Sequence, residues 1–255
     1  SLDRQGIKKG YVIVMKTEKN SFAAIVLSAG KGARMHSAVP KQYLMLEGKP
    51  VLYYSLLAFQ QSVAQDIILV AGEADIPYCQ ERIVRQYGFS KVSAIIPGGK
   101  ERYHSVFHGL VELKKRPSPP EYVMIHDGAR PFVDNAIISR CAEAVREYQA
   151  CVAGMPSKDT VKIADSQLFA RETPERKYVW QIQTPQAFSF PLIYQAYQEL
   201  IEREAQGERY PITDDAMVLE TICRQKVRLV EGSYENIKIT TRDDLKIAHA
   251  LYAKK

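Results

Sequence analysis

Apolar segments alternate along the chain with stretches of helical periodicity. Apolar runs short enough for one buried strand each lie at residues 22–27, 66–71, 92–96, 122–126 and 151–155. Helical patterns separate them, at residues 51–61, 75–87, 101–115 and 135–149. This alternation predicts an α/β fold with a Rossmann-like, mostly parallel sheet and helices on both faces.

The pattern changes after Pro156. Residues 156–183 contain short alternating runs without a helical period, which predicts a projecting β-arm of two antiparallel strands. Because such a hairpin has few core contacts, we expect it to pack against a second subunit in a homodimer. A loop folded onto its own domain is the alternative. Further helices are predicted at 191–204, 213–225 and 242–252, and further strands at 227–230 and 236–240.

Length and composition indicate one globular enzyme-sized domain. The chain has 255 residues, and we place the domain at 22–255 and a leader or appended segment at 1–21. The net charge is +6 without a block of basic residues, so we expect a polyanionic small substrate and no nucleic-acid partner. No apolar stretch approaches the length of a membrane span. The four scattered cysteines form no CxxC pair, which argues against a zinc site and predicts a cytoplasmic location.

A glycine-bearing loop with several cations follows the first predicted strand. Gly30 and Gly32 would let backbone N–H groups approach an anion, because no Cβ stands in the way. Lys31, Arg34 and Lys41 add three positive charges. The spacing fits neither the P-loop nor the complete dinucleotide fingerprint. The strand and the cations favour a nucleoside triphosphate, while an ordinary tight turn is the alternative for the glycines alone.

Two later strand-end loops should meet the first, because parallel strands place these loops at one sheet edge. Asp127 directly follows a strand and is a natural ligand for Mg²⁺, which prefers hard oxygens; capping a turn is the alternative. Arg130 is placed to bind a phosphate, and Gly99 belongs to a glycine pair that leaves room for a flat base. Lys238 lies in an alternating run, where a solvent-facing lysine is the simpler interpretation. We interpret His126 as structural, since an ionised phosphate nucleophile needs little help from a base.

Several motifs follow in one order across nearly the whole chain. They read SAGKGARM, PKQY, GGKERYHSV, HDGARPFV, PSKDTVK, QTPQAF, TDDA and EGSYENIKITT. In these motifs the chain from residue 22 to about residue 251 resembles the 2-C-methyl-D-erythritol 4-phosphate cytidylyltransferases, which have the nucleotide-diphospho-sugar transferase type of fold. That family transfers CMP from CTP to 2-C-methyl-D-erythritol 4-phosphate, releases pyrophosphate, and serves the non-mevalonate route to isoprenoid precursors.

The resemblance implies roles for individual residues. The residues that would cradle the triphosphate are Ala29, Gly30, Gly32, Arg34 and Lys41. Catalysis would fall to Arg34, Lys41 and Lys238. The remaining nucleotide contacts would come from Gly99, Arg102, Ser105 and Gly128. Asp127 would bind Mg²⁺, and the acceptor phosphate would face Arg130, Thr213 and Lys238. Arg176 and Thr184 match positions that reach the partner subunit's substrate, which implies a homodimer.

Some assignments stay open. Lys100 occupies a position that some relatives fill with Asp, Lys31 varies in type, and Glu235 could support either the metal or Lys238. A ribitol- or other polyol-phosphate cytidylyltransferase is the alternative enzyme; its members tend to carry bulkier residues directly after Asp127. A nucleotide-binding regulatory module without turnover is the alternative class, and the clustered cations argue against it.

Overall fold

The computed structural model describes residues 21–30 and 39–254. Its strands are β1 (Phe22–Ser28), β2 (Met45–Leu46), β3 (Lys49–Pro50), β4 (Ala64–Ala71), β5 (Val92–Pro97), β6 (Tyr122–Asp127), β7 (Ala150–Pro156), β8 (Ile163–Ala164), β9 (Ala170–Glu172), β10 (Trp180–Ser189) and β11 (Arg228–Glu231). Its α-helices are α1 (Val51–Gln60), α2 (Ile76–Tyr78), α3 (Arg102–Lys114), α4 (Asn135–Tyr148), α5 (Phe190–Ala205), α6 (Asp215–Val218) and α7 (Arg242–Tyr252). Wider π-helical turns continue α2 through Cys79–Arg85 and α6 through Leu219–Cys223.

One seven-stranded sheet organises the domain, in the spatial order β11–β7–β10–β6–β1–β4–β5. Pairing is parallel between β1 and its neighbours β4 and β6, and between β4 and β5. β10 is antiparallel to both β6 and β7, and β11 runs parallel to β7. The predicted mostly parallel α/β fold is confirmed, and the carboxyl ends of β1, β5 and β6 lie along the same edge.

Both faces of the sheet are buried, which explains why the central strands read as continuous apolar runs. Along β1, Ala24 and Val26 belong to the core beneath α1 and α4, while Ala23 and Ile25 belong to the core beneath α3 and α5. Ile25 is fully buried, and burying such a side chain stabilises the fold by about 2 kcal/mol. This double-sided burial makes β1 a rigid support for the loop that follows it.

Two segments differ from the sequence-based expectation. The predicted strand at 236–240 was wrong: this stretch is irregular, and its backbone joins the body where the Ile239 N–H donates to the Ala129 carbonyl (2.9 Å). Residues 184–189, for which no strand was predicted, form the buried half of β10. No strand was predicted here because the segment contains Pro185, and proline is disfavoured in a central strand. It fits because the register between β10 and β7 shifts between Ile182 and Gln186.

The β8–β9 pair lies within residues 156–183 and is antiparallel, as predicted for the arm. Both short strands are exposed, and so are Leu168 (87%), Phe169 (68%) and Tyr178 (75%) nearby. Large apolar side chains so exposed on a projecting hairpin are typical of a contact surface. Within the described residues, no helix has both the length and the apolar character needed to span a bilayer.

Candidate active site

The loops after β1, β5 and β6 converge, as the topology predicted, on a cavity of about 380 Å³. This first cavity is lined by residues of all three loops and by the segment at Lys41 and Gln42. Among the residues that line it are Ala29, Gly30, Lys41, Gly99, Arg102 and Ser105. These are the described members of the predicted nucleotide site, apart from Gly128.

A second cavity of about 320 Å³ is lined by residues from β6, β10 and the start of α6. It includes Arg130, Thr184 and Thr213, all of which were predicted to bind substrate. Three charged residues, Arg102, Asp127 and Lys238, line both cavities, and we call them the partition. A ligand in either cavity therefore meets the same charged groups.

Two ion pairs hold the partition together. Arg102 Nε donates to Asp127 Oδ1 at 3.1 Å, and Lys238 Nζ lies 2.7 Å from Asp127 Oδ2. Burial alone would raise the pKa of Asp127, but Arg102, Lys238 and Arg130 outweigh it and hold that pKa well below its usual range. Asp127 is therefore a carboxylate at any working pH, and it offsets the mutual repulsion of the cations around it.

Arg130 offers an unused donor near the second cavity. Its Nη1 donates to the Asn236 carbonyl at 2.7 Å, which fixes the guanidinium. Its buried Nε has no hydrogen-bond partner among the described residues. A buried donor without a partner is costly, so this geometry suits an anionic oxygen of a ligand.

Hydrogen bonds also shape the loops of the first cavity. Gln42 Nε2 donates to the carbonyls of Ser28 (2.6 Å) and Gly30 (3.2 Å), and so ties the segment around Lys41 to the loop after β1. The Gly99 N–H donates to Ser105 Oγ at 2.9 Å. Sequence reasoning missed Gln42, although it stands in the PKQY motif directly after Lys41.

Gly128 contributes to packing and lines neither cavity. Its N–H donates to the Leu27 carbonyl at 2.8 Å, so that donor is already used within the protein. A Cβ at this position would lie 2.8 Å from Leu52 Cδ1 and 2.9 Å from the Leu27 oxygen. The glycine therefore allows the loop after β6 to pack closely against β1.

A buried hydrogen-bond chain supports the partition from below. The Asp127 N–H donates to Thr184 Oγ1 (3.1 Å), and Thr184 Oγ1 lies 2.9 Å from His126 Nδ1. His126 Nε2 lies 3.3 Å from the Arg130 carbonyl, so His126 is the neutral tautomer with its proton on Nε2. Burial lowers the pKa of His126 to about 3. This fully buried imidazole has a structural role, as the sequence suggested.

The other predicted site residues lie in different surroundings. Thr184 was expected to reach the partner's substrate, yet it lines the second cavity of its own chain. Arg176 lies at the base of the arm, where its Nη1 donates to the Lys158 carbonyl (3.0 Å), and it lines neither cavity. Glu235 is exposed, and Lys100 is exposed at the first cavity. Gly32 and Arg34, with Lys31, lie outside the described residues.

A mostly parallel sheet whose strand-end loops form two cavities joined by a charged partition is an arrangement that suits a nucleotidyltransferase, which must bring two phosphate groups together. The family model described as "IspD: 2-C-methyl-D-erythritol 4-phosphate cytidylyltransferase" matches residues 22–254. The chain belongs to the 2-C-methyl-D-erythritol 4-phosphate cytidylyltransferase family, as its motifs indicated.

Individual relatives agree with this assignment. The 2-C-methyl-D-erythritol 4-phosphate cytidylyltransferase of Lachnoclostridium phytofermentans is 47% identical over 89% of this chain and 94% of its own length. The enzyme of the same name from Lachnospira eligens is 49% identical over 88% of this chain and 96% of its own. Among solved structures, the 4-diphosphocytidyl-2C-methyl-D-erythritol synthase of Anaerococcus prevotii superposes with a TM-score of 0.78, at 34% identity over 92% of this chain and 96% of that one.

Proposed function

We propose that this cytidylyltransferase transfers CMP from CTP to 2-C-methyl-D-erythritol 4-phosphate, with CTP in the first cavity and the acceptor in the second. The product would be 4-diphosphocytidyl-2-C-methyl-D-erythritol, a step of the non-mevalonate route to isoprenoid precursors. The observation that carries this proposal is the partition. Because its three residues line both cavities, two phosphates bound on either side would meet there.

The mechanism follows from charge. An oxygen of the acceptor phosphate attacks the α-phosphorus of CTP in line, and pyrophosphate leaves from the opposite side. Two anions must approach each other, so the main catalytic task is neutralisation by pre-positioned cations. Lys41 would act on the triphosphate and Lys238 at the point of attack. Arg34 would assist on the nucleotide side, as the family resemblance implies.

The acceptor's phosphate would lie against Arg130 and Thr213. Arg130 supplies a buried donor that has no partner among the described residues, and Thr213, which also lines this cavity, supplies a hydroxyl. The attacking phosphate oxygen is already ionised, so no general base is needed. This agrees with the burial of His126, whose pKa of about 3 keeps it neutral.

The residues present fit a magnesium ion held at Asp127. This carboxylate stays ionised and lines both cavities. Within the part of the chain that the structure describes, no group of three or more acidic, histidine or cysteine side chains is placed to hold a metal. Such a sparse protein contribution suits Mg²⁺, which takes one or two carboxylates and fills its shell with water and phosphate oxygens. When bound, Mg²⁺ would neutralise charge on the CTP phosphates.

We further propose a homodimer in which the arm brings Arg176 to the partner's second cavity. Two features support this: the exposed apolar side chains of the arm, and the position of Arg176 outside both cavities of its own chain. A cytoplasmic location fits an enzyme that consumes CTP.

A pyrophosphate-release assay tests the reaction. CTP, Mg²⁺ and either 2-C-methyl-D-erythritol 4-phosphate or ribitol 5-phosphate are supplied at equal concentrations. We expect release that depends on the first acceptor and at least about a hundredfold higher kcat/KM than with ribitol 5-phosphate, equivalent to about 2.7 kcal/mol. Preference for ribitol 5-phosphate would overturn the acceptor assignment, and tight CTP binding without release would favour a regulatory module.

Subunit complementation tests the arm. In a mixed dimer of Arg176→Ala and Lys41→Ala chains, one composite site would contain Lys41 from one chain and Arg176 from the other. We expect each variant alone to be impaired and the mixture, after unfolding and refolding together, to regain activity. Failure of the mixture to exceed the sum of its components, with mixed dimers verified by mass, would show that Arg176 does not act across the interface.

A further inference from the structure

Asp215, a buried carboxylate that lines neither cavity, holds the partition from behind. It stands at the start of α6 and is completely buried (0% exposed). Arg102 Nη1 donates to its Oδ1 at 3.0 Å, and Arg102 Nη2 donates to its Oδ2 at 2.9 Å. This is the paired geometry in which guanidinium and carboxylate bind most strongly. Arg102 is thus fixed between Asp215 on one side and Asp127 on the other.

Asp215 is itself held by two other elements. The Tyr197 hydroxyl, from α5, donates to its Oδ1 at 2.5 Å. The Gln186 Oε1, from β10, accepts from the N–H groups of Asp215 (3.1 Å) and Ala216 (3.0 Å). Residues from three parts of the chain therefore determine where this carboxylate lies, and through it where Arg102 lies.

We infer that Asp215 is a positioning residue for the CMP transfer, which fixes the Arg102 guanidinium so that its Nε edge faces Asp127 and the two cavities. The inference rests on the proposed function. Stability alone does not account for such a pair, because a buried ion pair is often no more stabilising than apolar residues of equal volume. A pre-positioned arginine, by contrast, is valuable where two phosphates must meet.

The Arg102 guanidinium shares its hydrogen bonds unequally between Asp215 and Asp127. Arg102 makes two hydrogen bonds to Asp215 and one to Asp127. A cation that coordinated Asp127 would weaken its bond to Arg102, and Asp215 would still keep Arg102 in place. Without Asp215, Asp127 would be the carboxylate left to hold Arg102, and the guanidinium would compete for it with Lys238 and with a metal ion.

Asp215→Asn tests this, since it keeps the volume and removes the charge and one acceptor. We expect kcat/KM for both substrates to fall at least about thirtyfold, the size of effect seen when one partner of a buried, hydrogen-bonded charge pair is removed. Tyr197→Phe removes one hydrogen bond to Asp215 and should give a smaller loss, of about threefold to tenfold. Asp66→Asn is the matched control, because Asp66 pairs with Arg116 (3.0 Å) at the opposite end of β4, away from the crevice.

A double-mutant cycle separates positioning from a merely structural role. Arg102→Met removes the group that Asp215 would position, so adding Asp215→Asn to it should change kcat/KM by less than about threefold. Thermal melting and circular dichroism verify folding, and if Asp215→Asn does not fold, Tyr197→Phe is carried through the same cycle. Equal losses in the wild-type and Arg102→Met backgrounds would overturn the inference, as would wild-type kinetics in folded Asp215→Asn. If the wild-type enzyme itself releases no pyrophosphate, the proposed function has failed instead.

Discussion

Lys238 provides the sharpest test of the charged partition. Its ammonium lies 2.7 Å from Asp127 Oδ2 and lines both cavities. Lys238→Met keeps most of the side-chain length and removes only the charge. Arg102 still contacts Asp127 in the variant, so the carboxylate keeps a cationic partner and the fold should persist.

The magnitude follows from position and exposure. Two unit charges 4 Å apart interact by about 4 kcal/mol at an effective dielectric constant of 20. The Lys238 side chain is 34% exposed, so solvent screens part of this interaction, and we expect a loss of about 3 kcal/mol in transition-state stabilisation. That corresponds to about a hundredfold to two-hundredfold lower kcat.

Steady-state pyrophosphate release with saturating CTP and 2-C-methyl-D-erythritol 4-phosphate measures kcat directly. Lys246→Met is the control, since Lys246 on α7 is 79% exposed and pairs with the equally exposed Asp243. We expect Lys246→Met to match the wild type. A kcat for folded Lys238→Met within threefold of the wild type would refute the view that Lys238 neutralises the reacting phosphates.

Three further perturbations address other parts of the site. Lys41→Ala should keep the melting temperature and lose at least about a hundredfold in turnover; near-normal activity would remove Lys41 from the catalytic role. Gly99→Ala would place a Cβ 2.3 Å from His104 Cβ, so the base-facing loop must shift, and we expect KM for CTP to rise about tenfold or more, visible also in equilibrium binding of CTP. The pKa of His126 is about 3 in the folded protein and 6.5 ordinarily, so the unfolded state binds the additional proton and stability falls as the pH drops from 6.5 towards 3. The free energies of unfolding from urea titrations at pH 7 and pH 4.5 should differ by about 2 to 3 kcal/mol because of this group. His126→Gln should lose that part of the difference.

The sequence was most informative where burial imposes a pattern. Strands β1 and β6 carry apolar runs because they lie inside the sheet, and β5 is the partly buried strand at its edge. Right-handed connections then require the loops after these three strands to share one edge. This reasoning from the sequence is enough to place Gly30, Gly99 and Asp127 at one cavity, where the structure has them. The residue roles came from the ordered motifs, which are far more specific than any single glycine pair.

The sequence was least informative where buried polar groups satisfy one another over long distances. Thr184 and Gln186 are buried in β10 because partners elsewhere in the chain take their hydrogen bonds, and no local period signals this. Likewise Arg102 and Asp215 are 113 residues apart. Ile237 and Ile239 alternate with Lys238 as residues of a strand would. The segment is nevertheless irregular, and it is held by single contacts such as the hydrogen bond from the Ile239 N–H to the Ala129 carbonyl, not by regular pairing with a neighbouring strand.

The irregular segment around Asn236 explains how one lysine can serve both cavities. The Asn236 side chain is fully buried, and its amide donates to the Thr184 carbonyl (2.8 Å) and to Gln183 Oε1 (3.1 Å), which anchors the segment to β10. The backbone carbonyl of Asn236 accepts from Arg130 Nη1. Two residues later the chain delivers Lys238 to the partition. In a regular edge strand, the backbone N–H and C=O groups of this segment would pair with a neighbouring strand. In the irregular segment the Asn236 carbonyl binds Arg130 and the Ile239 N–H binds the Ala129 carbonyl, which holds Arg130 and Lys238 near Asp127. The departure from the predicted strand is therefore the feature that builds the wall of the second cavity that these three residues line.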